Sequence, residues 1–142
     1  MVEIEKYIPQ RDPFLLVDKI IKTESKNESD IIFSVMTCFL VNDKHVLCKD
    51  GVLQESGIIE NLAQSAAAME GYEAVENHRP VKLGFIGSLK KLKIYARVDA
   101  GDTLITKVQF INEVMGVKII KGESHVGDTL IAECQMQIYL ED

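Results

Sequence analysis

The sequence predicts an α+β fold in which an antiparallel sheet wraps around one long central helix. Three observations lead there. Residues 57–73 place apolar side chains at helical spacing and carry few charges, as a helix buried on most sides would. From residue 81 onward the chain alternates apolar and polar residues, broken by short Gly turns, as antiparallel strands do. The chain has 142 residues, 46% hydrophobic and 27% charged, which suits one domain over 1–142 that buries a core without disulfide or metal.

Element by element, Pro9 and Pro13 punctuate the start. Pro13 disfavours helix at Asp12, so a turn and then a short strand or helical turn is expected through Phe14-Leu15-Leu16-Val17 and on to Ile20-Ile21. Residues 25–30 read as a polar turn. Residues 31–41 read as a strand with Ile31, Phe33, Val35, Phe39 and Val41 on one face and Ile32, Met36 and Leu40 on the other. Residues 42–44 are a loop, and 45–55 are irregular with a turn at Asp50-Gly51. Ser56 can cap the helix, whose apolar positions are Ile58, Ile59, Leu62, Ala63, Ala66 and Met69. Residues 77–80 read as a loop. Lys91, Lys93, Tyr95 and Arg97 alternate with Leu92, Ile94, Ala96 and Val98, and 99–102 form a turn. Residues 104–114 and 117–124 pair as a hairpin about Met115-Gly116. Residues 125–128 turn again, and 129–140 alternate as a last strand. The total is one helix and five or six strands.

The formal charge is −6, from 22 acidic and 16 basic residues, which argues against nucleic acid as a partner. Cys38, Cys48 and Cys134 form no C-x-x-C pair and read as reduced thiols of a cytoplasmic protein. The start shows no targeting segment. The longest nearly apolar stretch, 31–41, is far short of the ~20 residues of a membrane span, so no membrane association is expected. No pair of histidines or acids has metal-ligand spacing, so neither a metal nor another cofactor is expected.

Ile8-Pro9-Gln10-Arg11-Asp12-Pro13-Phe14-Leu15-Leu16-Val17-Asp18 resembles the I-P-H-R-x-P-F-L-L-V-D opening of bacterial 3-hydroxyacyl-acyl-carrier-protein dehydratases of the hot-dog fold. Glu60-Asn61-Leu62-Ala63-Gln64 resembles their helix motif E-x-M-A-Q. Residues 92–104, with Arg97-Val98 and Gly101-Asp102, resemble their R-x-x-x-P-V-x-P-G-D-x-L strand and turn. The three blocks come in the family order and run through most of the chain. The family's G-H-F-P segment is altered here: His45 is the candidate for its histidine and is followed by Val46-Leu47-Cys48. Asp50-Gly51-x-Leu53 leading into Glu60 resembles a second branch, the dehydratase-like proteins of aryl polyene and flexirubin-type pigment clusters. Some members of that branch lack the histidine and act as partners of an active dehydratase.

The resemblance implies dehydration of a 3-hydroxyacyl thioester carried by acyl carrier protein, in fatty acid or polyene biosynthesis. That chemistry needs a base for the C2 proton, an acid for the departing C3 hydroxyl, and donors for the enolate-like thioester oxygen. Glu60, near the start of an apolar helix, is the candidate carboxyl; its plain alternative is a first-turn acid that favours the helix dipole. His45 is the candidate base, reaching Glu60 across a dimer interface as the resemblance implies; its alternative is an exposed loop histidine. His78 and His125 read as turn residues at the surface. Gly57 is the candidate oxyanion N–H, or else a residue that relaxes the helix entry. Gln64 lies one turn after Glu60 and can orient it, or else is a polar residue satisfied inside the core. Ser56 has no base placed to make it a nucleophile.

Lys90, Lys91, Lys93 and Arg97 form a basic stripe that can steer an acidic carrier protein, or else a solvated strand face. Phe14, Phe39 and Phe85 can line an acyl tunnel, or else fill the core. The expected assembly is a homodimer, or a heterodimer with a hot-dog homologue. Two other functions stay open beside the dehydratase: a non-catalytic hot-dog subunit that partners an active dehydratase, and an acyl thioesterase that activates water with the helix carboxylate.

Overall fold

The computed structural model describes residues 2–25, 32–79 and 85–139. Strands run β1 (Val2–Glu3), β2 (Lys19–Ser25), β3 (Ile32–Leu40), β4 (Cys48–Lys49) and β5 (Val52–Leu53). The helix α1 (Glu55–Glu76) follows, then β6 (Phe85–Ile94), β7 (Val98–Asp99), β8 (Thr103–Val114), β9 (Val117–Val126) and β10 (Thr129–Tyr139). A short 3-10 turn, Ile4–Lys6, sits between β1 and β2.

Seven strands form one antiparallel sheet in the order β1-β2-β3-β8-β9-β10-β6, and β4-β5-β7 form a small second sheet. The long helix packs on β3, β8 and β9 in the middle of the large sheet. Its inner side buries Ile58, Leu62, Ala66 and Met69 against Val35, Leu104, Val108 and Ile120. Gly122 on β9 lets the helix approach: a Cβ there would stand 2.9 Å from Leu62 Cδ2. A sheet wrapped around a central helix is the architecture expected from the sequence.

Several details differ from the sequence reading. The helix starts two residues early, at Glu55, with Gln54 at the N-cap and no side-chain cap bond. Ser56 therefore lies inside the first turn and caps nothing. In the strand of 31–41, Val35, Thr37 and Phe39 are buried on one face, while on the other Ser34 is buried, Met36 is half-buried and Leu40 is exposed. The alternation of 91–98 is not one strand, since β6 ends at Ile94 and β7 begins at Val98, and β6 itself is bulged. Lys91 has φ 55°, and two residues, Lys91 and Leu92, face one, Cys134, between the pairs Gln135↔Lys90 and Glu133↔Lys93. This bulge turns both Lys90 and Lys91 outward. His125 lies in β9, half-buried and paired with Ile105 and Leu130, not in a turn. The small sheet was missed because two-residue strands carry no periodicity. The turn expected over 25–30 lies mostly outside the described residues, as does Pro80.

The hairpin read at Met115-Gly116 is present, and the turn read at Asp50-Gly51 also closes a hairpin, between β4 and β5. Asp50-Gly51 and Met115-Gly116 have positive φ at both positions, the conformation that a two-residue hairpin loop requires.

Candidate active site

Residues 14–16 form a strap with no strand partner, running over α1 just before β2. Three side chains hold it. Gln64, fully buried, accepts from the Leu16 amide at 2.7 Å and donates to the Phe14 carbonyl at 2.9 Å. Asn61, one turn earlier and also buried, donates to the Leu16 carbonyl at 2.7 Å. His45 closes the set, with Nε2 3.1 Å from the Leu15 carbonyl.

The hydrogen bonds fix the state of His45. Its Nδ1 lies 3.0 Å from the Leu47 amide, which can only donate. Nδ1 is therefore the unprotonated nitrogen, and Nε2 carries the proton that it donates to Leu15. The ring packs edge-on against Phe39, centroids 5.6 Å apart and planes at 81°. Phe39 thus supports the imidazole from the core and does not line an open tunnel.

Glu60 is half-buried, and its Oε1 accepts from Gln64 Nε2 at 3.2 Å. The donor fixes the direction of the carboxyl. Glu60 and His45 are thus connected through one strap: Glu60 through Gln64 to Phe14, His45 directly to Leu15. Within this chain they make no hydrogen bond to each other. Glu60 shares its side of the helix with Ile59, Ala63 and Ala67, all half-buried, a ridge that the chain's own sheet leaves partly open.

Gly57 behaves differently from the sequence expectation. Its N–H donates to the Gln54 carbonyl at 2.8 Å, so it is engaged in the helix start and is not an open oxyanion donor. The space, not the amide, explains the glycine: a Cβ would meet Leu53 Cδ1 at 2.5 Å and Leu47 Cβ at 3.3 Å.

Phe14 is 63% exposed; Leu40 and Val46, the sequence neighbours of Phe39 and His45, are exposed as well. The Phe85 side chain lies outside the described residues. Lys90, Lys91, Lys93 and Arg97 all stand exposed on the outer side of β6 and the segment after it; Arg97 pairs with Asp99 at 3.0 Å. The three lysines make no salt bridge among the described residues. A cavity of about 360 Å³ opens nearby, lined by Val52, Leu53, Ile58, Ile94, Tyr95 and Arg97. It lies on another flank of the helix from Glu60, since two residues of helix turn the side chain through ~200°.

Sequence reasoning missed Asn61 and its support. Thr106 donates to Asn61 Oδ1 at 2.6 Å, and the Thr106 and Ser124 hydroxyls are 2.8 Å apart, all fully buried. The sequence shows only polar residues at these positions of α1, β8 and β9, which cannot be told from solvated ones until their partners are known. Among the described residues no cluster of His, Cys, Asp or Glu could hold a metal, and no helix is long and apolar enough to cross a membrane.

Comparison with known proteins gives concordant results. A family model described as ApeP-like, ApeP dehydratase, matches residues 2–142. The 3-hydroxyacyl-acyl-carrier-protein dehydratase FabZ of Chlamydia muridarum is 32% identical, over 97% of this chain and 90% of its own length. The FabZ of Nitratiruptor is 26% identical, over 100% and 97%. Among solved structures, the dehydratase heterocomplex ApeI:P from Xenorhabdus doucetiae superposes with a TM-score of 0.84 at 18% identity, covering 100% of this chain and 93% of that one. The hot-dog fold is thereby shown.

Proposed function

Because the chain belongs to the ApeP-like dehydratase family, we propose that it removes water from 3-hydroxyacyl thioesters carried on acyl carrier protein. The observation that carries this reading is the strap. One three-residue segment holds a neutral imidazole with a defined basic nitrogen and, through Gln64, a directed carboxyl.

In the proposed reaction His45 Nδ1 takes the C2 proton, giving up its hydrogen bond from Leu47. The electron pair forms the C2–C3 double bond as the C3–O bond breaks. A protonated Glu60 gives its proton to the departing hydroxyl, and water leaves an enoyl thioester. The two groups face each other only if a second hot-dog chain covers the ridge of Ile59, Glu60, Ala63 and Ala67. A pair of chains therefore makes the site, either two copies or this chain with a homologue. The FabZ relatives are named as acting on carrier-bound substrates and the ApeI:P structure is named as a heterocomplex, which supports both the substrate class and the kind of partner. The basic residues of β6 would receive the acidic carrier. The full-length matches to proteins named as dehydratases favour dehydration over thioester hydrolysis.

The test is absorbance on mixing the protein with 3-hydroxyacyl thioesters of several chain lengths, beside His45→Ala and Glu60→Gln. An enoyl signal lost in both variants is the expected result. Free thiol release without enoyl product would replace the reading with a thioesterase. A folded wild type silent at every length, active only when a second hot-dog chain is added and then equally active with His45→Ala and Glu60→Gln, would make this chain the supporting subunit.

A further inference from the structure

The row of buried polar groups beneath the strap has a direction. Asn61 Oδ1 must accept, because Asn61 Nδ2 is the atom on the Leu16 carbonyl. Thr106 therefore spends its one hydroxyl proton on Asn61. The Thr106 oxygen is then free only to accept, so Ser124 is the donor across the 2.8 Å contact. Protons run one way, from Ser124 on β9 to Thr106 on β8, to Asn61 on the helix, to the carbonyl of Leu16. Chains of this kind polarise each member in the same sense.

An apolar core would have served stability alone. Leu, Val and Ala at these three positions would pack the same layer without burying polar atoms. What the polar row adds is an outlet at Leu16. That residue has no strand partner, and both its backbone groups are held by side chains one helical turn apart, Gln64 on the amide and Asn61 on the carbonyl. Phe14 is held on its carbonyl by Gln64. The Leu15 carbonyl, between them, has its direction set by its two fixed neighbours, and it is the acceptor for His45 Nε2.

We propose that Asn61, oriented by Thr106, is a positioning residue for His45: by fixing the Leu16 carbonyl it presets the Leu15 carbonyl that, together with the Leu47 amide on Nδ1, holds the Nε2–H tautomer and leaves Nδ1 as the basic atom. The selection of the tautomer stands on the geometry alone. Its consequence for rate rests on the dehydratase reading above.

The experiment uses full-length protein labelled with 15N-histidine. Long-range proton–nitrogen correlation spectra, at a pH alkaline enough to keep the rings neutral, report the tautomer of His45 directly. Wild type should show Nε2–H dominant. Asn61→Leu, nearly isosteric, and Thr106→Val, which keeps the shape but removes the orienting hydroxyl, should both shift His45 toward a mixture of tautomers. In turnover they should lower kcat about ten- to a hundredfold with KM held within about twofold, the pattern of a misplaced catalytic group. Thr37→Val is the control. Thr37 pairs with Ser65 in the same buried layer, 2.8 Å apart, and reaches only the backbone carbonyl of Thr106, at 3.5 Å, not the Thr106 hydroxyl that orients Asn61 and not the strap. It should leave the His45 spectrum unchanged even where it lowers stability. A His45 spectrum identical to wild type in both Asn61→Leu and Thr106→Val overturns the proposal, as does a tautomer shift of equal size in Thr37→Val. If Asn61→Leu does not fold, Thr106→Val alone decides. A tautomer shift in a protein with no turnover on any substrate would keep the positioning role and discard the dehydratase reading.

Discussion

Glu60 and Gln64 look alike in composition, two polar residues on one helix, but the strap gives them opposite sensitivities. Glu60 makes one hydrogen bond, as acceptor, and a glutamine can still accept from Gln64. Glu60→Gln should therefore melt with the wild type and lose about 10²–10⁴ in turnover, which a melt beside an enoyl assay checks. Gln64 satisfies two backbone groups that have no strand partner. Gln64→Leu orphans the Leu16 amide and the Phe14 carbonyl, about 1–3 kcal/mol each, and should show in a denaturant midpoint before any assay is run. Glu70 gives a third case, legible only from the structure. Burial holds its carboxyl above the ordinary 4.5, against the pull of Lys118 at 3.0 Å and with a further push from Glu73. The folded state therefore keeps that proton more tightly than the unfolded chain. The stabilising contribution is complete below pH 4.5 and is lost as pH rises through the raised folded value. Glu70→Gln, uncharged throughout, should lack that loss, so the wild type's melting temperature should fall relative to the variant's across the window. A difference that stays flat with pH would refute it. At this scale the sequence carried Glu60, Gln64 and His45 through a motif. It could not carry Asn61 or Thr106, because a polar residue in a periodic pattern reads as facing water until its partner on another element is known.

The elements were legible wherever a pattern lasted several residues. The helix, β3 and the β8–β9–β10 meander follow from spacing and from turns at Met115-Gly116 and after Val126. What escaped were features set by contact. The helix begins at Glu55 because the Gln54 carbonyl receives both Gly57 and Ile58, at 2.8 and 3.2 Å, which no cap residue announces. Gly71 is a similar case. An interior helical Gly exchanged for Ala is ordinarily a gain of roughly 0.5–1 kcal/mol. Here a Cβ would run into the carbonyl of Tyr7, whose ring also lies against Tyr72 at 5.3 Å. The backbone cannot yield as a side chain would, so Gly71→Ala should reverse the usual sign, costing about 1–3 kcal/mol. Hydrogen exchange should show where: the amides of Tyr7 and Ile8, which bond to the Ile4 carbonyl, should exchange faster than in wild type while the β8–β9 amides keep their protection. Uniform loss of protection would mean that the N-terminal segment is part of the cooperative core.

For the whole molecule the balance of charge sets a problem that a local feature must solve. A chain of net charge −6 repels an acidic partner at long range, so under the proposed function a carrier protein would need a positive approach on one face. The edge strand β6 is the proposed place for it, since the bulge at Lys91 leaves Lys90, Lys91 and Lys93 all exposed on its outer side. Lysines on an edge strand have a second use, since they also discourage uncontrolled pairing of that edge. The two uses separate by substrate. With Lys90, Lys91 and Lys93 all changed to Glu, kcat/KM on a carrier-borne 3-hydroxyacyl thioester should fall about tenfold or more and lose its dependence on salt, since exposed charges are screened over about 8–10 Å. The same variant should turn over a carrier-free thioester as the wild type does, because none of the three touches the strap, His45 or Glu60. An equal loss on both substrates would place the lysines in the architecture of the site, and an equal retention on both would leave them as a guarded edge with no part in docking.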